Sequence, residues 1–167
     1  MISLAAPLSR AMRPIILPMP DAPPRVSEGE KEAVRMICEW AALQNHLHKV
    51  EVLGFVDGKS SVDWIRDAGC RVLNLLCKGS LRHCTQQLKK TPEEHFTDIK
   101  NTVYYAHSHG IQVNVYLEDW SNGMKNSPEY VFQLMDTLQT TPIQRYMLPA
   151  IYGKEFFPWC FLNRMSK

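Results

Sequence analysis

Hydrophobic residues recur along this chain at two spacings, one typical of helices and one typical of buried strands. Behind Ser27 the apolar residues repeat at helical spacing to about residue 45, and Ser27 forms a capping box with Glu30 at the start of that repeat. The next segment, "KVEVLGFV" (49–56), is rich in β-branched residues and is followed by an Asp-Gly pair. This pattern predicts a helix and then a strand that ends in a turn.

The same alternation of helix and strand continues as far as residue 149. The clearest helix signal is at Thr91, a capping residue, followed by Pro92 at the first helical position and by Gly110 as the stop. The predicted helices cover 27–45, 61–69 and 91–110, and a fourth begins at Ser127. The predicted strands cover 49–56, 71–76, 111–120 and 143–149, with a loop, "CKGSLRHC", at 77–84.

Each predicted strand is almost continuously apolar, which is typical of a parallel α/β sheet covered on both faces. Right-handed connections in such a sheet bring the carboxyl ends of all the strands to the same side, and α/β proteins bind their ligands there. We therefore expect Leu53, Leu76, Glu118 and Pro149 to lie near one rim.

The predicted strand "IQVNVYLEDW" (111–120) ends in two carboxylates, Glu118 and Asp119, although the rest of it has the pattern of a buried strand. One interpretation is that these acids are solvated residues at the point where the chain leaves the sheet. The other is that they stand at the rim to act on a ligand. The pattern by itself leaves both open.

Composition narrows the class of protein. A chain of 167 residues with 45% apolar content suits one globular domain, and its net charge of +2 comes without a basic cluster for nucleic acid or a polybasic run for a membrane. The five cysteines are an odd number without a C-x-x-C pair, which indicates neither a disulfide framework nor a zinc ribbon. We expect a reducing, cytoplasmic setting.

The two ends of the chain differ from the middle. Residues 1–24 hold six of the eleven prolines and are predicted to be a disordered leader, because those prolines would break the amphipathic helix of a transit peptide. An aromatic-rich tail covers 154–167. The segment between them, 25–153, is predicted to be the catalytic domain.

Residues 25–149, about three quarters of the chain, resemble a known family. The motifs "LGFVDG" (53–58) and "VYLEDWSNG" (115–123) carry the likeness. The family is that of the 2-isopropylmalate and homocitrate synthases, acyltransferases that are acyl-CoA condensing TIM barrels, and the motifs resemble its citramalate synthase branch.

The resemblance implies a reaction and a set of site residues. In the citramalate branch acetyl-CoA adds to pyruvate in an aldol-type step, a divalent metal (Mn, Mg or Zn) polarises the keto group, and the thioester is hydrolysed, in isoleucine or leucine biosynthesis. Glu118 matches the active-site glutamate, and Tyr116 matches a tyrosine beside it. Leu53 and Leu76 match the residues around the pyruvate methyl, and two leucines there favour a small 2-oxo acid.

The sequence also departs from the family pattern. The strand that carries the family's enolate-stabilising arginine and metal-binding acid has no counterpart, nor has its late His-x-His motif. His46 and His48 precede a strand, at the end of the sheet opposite Glu118, and His107 and His109 end a helix, so neither pair replaces that motif. We expect no metal bound by this chain.

The expected fold is an incomplete (β/α)8 TIM barrel of roughly four to five β/α units, inactive by itself. The sequence leaves three alternatives open. One is a non-enzymatic barrel fragment that forms a homodimer or pairs with a partner, and another is a 2-isopropylmalate synthase-like enzyme for another 2-oxo acid. The third is a different metalloenzyme that uses Glu118, Asp119 and a histidine.

Overall fold

The structure is a computed structural model that describes residues 15–17 and 27–149. The strands are β1 (Ile15–Leu17), β2 (Val50–Phe55), β3 (Val72–Lys78), β4 (Gln112–Glu118) and β5 (Ile143–Met147). The helices are α1 (Glu28–Leu43), α2 (Ser60–Asp67), α3 (Pro92–Ser108), α4 (Trp120–Asn126) and α5 (Pro128–Leu138). A short 3₁₀ turn covers Leu47–Lys49, and a π-helical turn covers His83–Gln87.

The two predicted capping boxes are confirmed. The Ser27 hydroxyl accepts from the backbone N–H of Glu30, and the Glu30 carboxylate accepts from the N–H of Ser27. Thr91 and Glu94 make the same reciprocal pair at the start of α3, where Pro92 is the first helical residue. Each box satisfies two N–H groups that a helix start leaves without a partner, so both helices begin where the sequence indicates.

All five strands are parallel and follow one another in the order β1-β2-β3-β4-β5. Because this order never reverses, right-handed connections place the helices on one face of the sheet rather than on both. A single helical layer of this kind is what a (β/α) barrel has around its sheet. The α/β class is confirmed, and the arrangement is that of part of a (β/α) barrel.

The hydrophobic core lies between the sheet and this helical layer. Val113, Val115 and Leu117 alternate along β4 with residues of the other face, and all three are buried. They belong to a single cluster with apolar residues of α1, α2, α3 and α5. The period of two along β4 is what directs one set of side chains into the core and the other away from it.

The structure departs from the sequence predictions at several places. The predicted disordered leader contains β1, in which Ile15–Leu17 pairs with the first half of β2, because a run of three large apolar residues suits a strand. The rest of 1–24 and the aromatic tail, 154–167, lie outside the described residues. The sequence analysis did not predict the helix α4. It also did not predict the π-helical turn, which begins near the end of the expected loop 77–84 and continues to Gln87. In the described part of the chain, no helix has the length and apolar character to cross a membrane.

Candidate functional site

The face of the sheet opposite the helical layer carries the candidate site. Strand register groups the side chains nearest the carboxyl rim into three levels. The lowest of the three contains Leu53, Asn74, Asn114 and Arg145, the middle level contains Phe55, Leu76, Tyr116 and Met147, and the level at the carboxyl rim contains Lys78 and Glu118. The middle and rim levels are partly exposed, so a ligand can reach them.

Lys78 and Glu118 form the charged part of the rim. They are the last residues of β3 and β4 and partners in the strand register, and their side chains make an ion pair. The Lys78 side chain is 17% exposed and that of Glu118 is 37% exposed. Such a pair is partly desolvated yet open on one side, so an incoming polar ligand can exchange with either partner.

Buried residues of two helices hold the backbone of Lys78. Its N–H donates to Nε2 of His95, at 3.3 Å, and its carbonyl accepts from the Tyr130 hydroxyl, at 2.9 Å. His95 is 1% exposed, and burial lowers its pKa to about 4. The imidazole is therefore neutral, with Nε2 as acceptor and the proton on Nδ1.

The backbone of Glu118 is held by the loop that follows β3. The Gly79 N–H donates to the Glu118 carbonyl at 2.6 Å. A Cβ added at Gly79 would lie 2.9 Å from that same oxygen, and one added at Gly123 would collide with the Gly79 carbonyl. Two glycines thus permit the loop, the end of β4 and the helix α4 to meet backbone to backbone.

Asp119 is a buried, hydrogen-bonded residue that joins the end of β4 to the loop after β3, and it is not a solvated acid. It is 5% exposed and has a left-handed backbone, with φ 63 and ψ 22. Its carboxylate accepts from the Ser80 hydroxyl at 2.7 Å and from the Asn122 amide at 2.6 Å, and His83 Nε2 lies 3.4 Å away. Burial alone would raise the pKa of Asp119, but these hydrogen bonds and His83 outweigh it and lower that pKa.

Of the four site residues proposed from the sequence, the structure brings three together. Leu76 and Tyr116 are register partners in the level below the rim, and Glu118 follows at the rim on the same face. Leu53 lies one level deeper, beside Asn74 and two residues before the end of β2. Phe55 therefore occupies the level at which Leu53 was expected.

Pro149 lies close to the rim, as predicted. Its carbonyl accepts a hydrogen bond from the Ser121 hydroxyl at 3.0 Å, in the first turn of α4. This contact joins the segment after β5 to the segment after β4.

Sequence reasoning missed Lys78 and His95. A signal for Lys78 existed, since it follows the apolar run of β3 and leaves the sheet at the level of Glu118. The signal for His95 was weaker. His95 lies one turn before Ile99 on the buried side of α3, and its contact with the Lys78 N–H joins α3 to β3, two segments distant in the sequence.

Below the site, a polar network connects four strands. Asn74 donates to the Glu51 carboxylate at 2.9 Å, and Asn114 donates to the Asn74 side-chain oxygen at 3.1 Å. Arg145, on β5, makes an ion pair with Glu51, on β2. Side chains from strands that are not neighbours meet here, as expected on the concave face of a curved sheet.

The divalent metal of the resembling family does not fit the described residues by themselves. Among residues 15–17 and 27–149, no group of three or more His, Cys, Asp or Glu side chains could hold a metal ion. The Asp119 oxygens already accept hydrogen bonds, and one oxygen of Glu118 faces Lys78. We therefore assign no chemical step to a metal.

These features define a class of protein. The strand order and the single helical layer are those of part of a (β/α) barrel. In barrel enzymes as a class, the active site lies at the carboxyl rim of the strands.

Comparison with known proteins finds sequence similarity to 2-isopropylmalate synthases. The chain is 30% identical over 145 residues to the 2-isopropylmalate synthase of Saccharolobus solfataricus and 28% identical over the same length to that of Sulfolobus acidocaldarius. Each alignment covers 86% of this chain but only 35% of the relative. The chain thus spans about a third of the length of these relatives, and no protein-family model matches it.

A solved structure, the radical S-adenosylmethionine methyltransferase TsrM from Kitasatospora setae, aligns with 64% of this chain and 21% of its own. The TM-score of 0.33 and the identity of 17% are too low to support any conclusion. The sequence similarity to 2-isopropylmalate synthases agrees with the resemblance to that family, while the citramalate branch stays a prediction.

Proposed function

We propose that this chain carries the 2-oxo acid binding region of an acyl-CoA condensing enzyme, with pyruvate as the 2-oxo acid and acetyl-CoA as the acyl donor. The observation that carries the proposal is the placement of Leu76 and Tyr116 directly below the Lys78–Glu118 pair on one face of adjacent strands. Similarity to two 2-isopropylmalate synthases supports the reaction class.

The rim offers complementary groups to each part of pyruvate. When pyruvate binds, the Lys78 ammonium leaves its ion pair with Glu118 and pairs with the pyruvate carboxylate instead. Leu76 and Phe55 provide an apolar surface for the methyl group. The freed Glu118 carboxylate then stands next to the keto group, where it can hold or move a proton during carbon–carbon bond formation.

Binding of pyruvate to the full chain tests the proposal. Titration calorimetry of wild type should give heat, and Lys78→Met should weaken binding at least tenfold, about 1.4 kcal/mol, because the cation is lost. Glu118→Gln should tighten binding several-fold, since the competing carboxylate is removed. Glu129→Gln, on the exposed first turn of α5, is the matched control and should bind as wild type does.

The outcome that overturns the proposal is an absence of heat from wild type that has a folded circular-dichroism spectrum. Equal effects of Lys78→Met and Glu129→Gln would also overturn it. Titrations with and without Mn²⁺ measure whether the metal adds to binding.

The alternative substrate is a larger 2-oxo acid, and the similarity to 2-isopropylmalate synthases is what favours it. Leu76 lies on the site face in the level below the rim, with Leu53 one level deeper. We expect wild type to prefer pyruvate over 2-oxoisovalerate and Leu76→Ala to reduce that preference roughly 10–200-fold at most. Leu43→Ala, at a position that is 82% exposed on α1, should not change it.

We expect the isolated chain not to form citramalate, because the resemblance leaves the family's arginine and His-x-His motif without counterparts. The assay is release of free CoA from acetyl-CoA in the presence of pyruvate and Mn²⁺. Citramalate formation that Glu118→Gln abolishes would contradict the expected inactivity and would support the proposed site.

A second candidate function is that of a non-enzymatic module that self-associates. The observation that favours it is that, within the described residues, β1 pairs only with β2 and β5 only with β4, which leaves two sheet edges. Size-exclusion chromatography with light scattering tests this candidate. A concentration-independent monomer would count against it.

A further inference from the structure

Two cysteines from different elements are in direct contact on the helical side of the sheet. The Sγ atoms of Cys38, in α1, and Cys70, just before β3, lie 2.8 Å apart. Both residues are buried, at 3% and 0% exposure. Two thiols in such contact need to move by less than about 1 Å to reach the disulfide distance of roughly 2.05 Å.

Local structure explains why they meet. Cys38 lies on the buried side of α1 together with Val34 and Ala41. Gly69, with φ +84, ends α2 and turns the chain back toward β3, so that a Cβ placed there would lie 3.9 Å from the Cys38 Cβ. The turn is therefore packed against α1, and Cys70 is the next residue in it.

We propose that Cys38 and Cys70 are a site of reversible disulfide formation, whose oxidant is a low-molecular-weight disulfide such as oxidised glutathione. The bond would join α1 to the turn between α2 and β3. It is independent of the rim at which we place 2-oxo acid binding.

The electrostatics distinguish the two sulfurs. The contact with Cys70 lowers the pKa of Cys38, and the same contact, together with burial, raises the pKa of Cys70. Cys38 is therefore the thiol that becomes the attacking thiolate, because only the thiolate is nucleophilic. Cys70 then acts as the resolving thiol.

The exchange takes place in two balanced steps. The Cys38 thiolate attacks one sulfur of the oxidised disulfide, which forms a mixed disulfide and releases one thiolate. Cys70 then attacks the Cys38 sulfur, its proton passes to solvent, and the second thiolate leaves. The protein dithiol is oxidised by two electrons, and the small disulfide is reduced to two thiols.

A cleft lies between α1 and α2. Its volume is about 290 Å³, and Arg35 and Ala68 line it. These residues precede Cys38 by three positions and Cys70 by two, and neither cysteine itself lines the cleft.

The chain supplies its own controls. Cys77 and Cys84 are equally buried, but neither contacts another thiol in the described part of the chain: Cys77 donates to the Leu75 carbonyl, and Cys84 donates to the Lys90 and Thr91 carbonyls and contacts the Tyr130 hydroxyl. Burial raises the pKa of both. They should therefore stay reduced under conditions that oxidise the contacting pair.

The test equilibrates the full chain in buffers with graded ratios of reduced to oxidised glutathione, traps free thiols and identifies peptides by mass spectrometry. We expect a cross-linked peptide joining Cys38 to Cys70, both lost from the thiol pool at one ratio, while Cys77 and Cys84 remain free. The oxidised chain should melt several degrees higher, because the bond constrains the unfolded chain. Cys38→Ser should abolish the cross-link and the shift in Tm.

Three results would overturn the proposal. The pair remains reduced in the folded wild-type chain at the most oxidising ratio, or the cysteines form mixed disulfides without a cross-link, or Cys77 and Cys84 are oxidised at the same ratio as the pair. The wild-type peptide analysis decides among these even if Cys38→Ser fails to fold. None of these results bears on pyruvate binding, so the two proposals are tested separately.

Discussion

At the scale of single residues, His95 shows how one buried side chain supports the candidate site. Its Nε2 accepts the Lys78 N–H, and its Nδ1 has no hydrogen-bond partner among the described residues. A second proton on this ring would remove the acceptor and place a charge in the core. The position of Lys78 thus depends on the neutral imidazole.

This dependence predicts an acid-sensitive stability. The unfolded chain takes up a proton on His95 below its ordinary pKa of 6.5, whereas the folded chain resists protonation down to about 4. The free energy of unfolding should therefore be unaffected by His95 above pH 6.5 and should fall as pH drops from 6.5 to 4, by about 3 kcal/mol in all. Urea unfolding of wild type and His95→Gln at several pH values measures the difference.

His95→Gln serves as the control for this prediction. The Gln side-chain oxygen can still accept the Lys78 N–H, but it does not titrate. All other titrating groups are common to both proteins, so two stability curves that run parallel between pH 6.5 and 4 would contradict the prediction.

At the scale of elements, the contact between α4 and the loop after β3 fixes the rim. The side chain of Val131, in α5, also lies 3.0 Å from the position that a Gly123 Cβ would take. The space at Gly123 is thus closed on two sides, by backbone and by a packed side chain.

We predict that Gly123→Ala destabilises the protein by roughly 1–3 kcal/mol, because the added methyl group forces these elements apart. Gly29→Ala is the matched control, since its Cβ would meet only the Ser27 hydroxyl, at 3.9 Å, in an exposed first turn. That substitution should be neutral or stabilising by up to about 1 kcal/mol. Thermal and urea unfolding measure both, and equal stability of the two variants would argue against a close contact at Gly123.

At the scale of the whole molecule, the ion pair between Glu51 and Arg145 joins β2 to β5 across the concave face. The Glu51 side chain is 6% exposed, and that of Arg145 is 46% exposed. Removing the charged partner of a buried carboxylate lowers the free energy of unfolding, because the charge is left buried without compensation. The Asn74 amide would still donate to Glu51 and would offset part of that loss.

We predict that Arg145→Met lowers the free energy of unfolding by about 2 kcal/mol. Arg35→Met removes ion pairs with Glu32 and Glu39 that are exposed on both sides, so it should change stability little. Unfolding by urea compares the two variants. A loss of equal size in both would mean that the pair across the sheet contributes no more than a surface pair.

The fold was predictable from the sequence because its signals are local. Capping boxes at Ser27 and Thr91 and the alternation along β4 each depend on residues close together in the chain. The sequential strand order then follows from short right-handed connections. By contrast, α4 follows Asp119, a capping residue with a left-handed backbone that is held by Ser80, and no local sequence pattern predicts such a contact.

The candidate site divides along the same line. The sequence by itself determined that Glu118 ends a buried strand and that Leu76 and Tyr116 precede the rim, because a period of two and a common strand direction fix these positions. Only the tertiary structure decided that Lys78 faces Glu118, that His95 holds Lys78, and that Leu53 lies a level deeper. Register between strands and contacts between distant segments set those relations, and they depend on packing that no single stretch of sequence specifies.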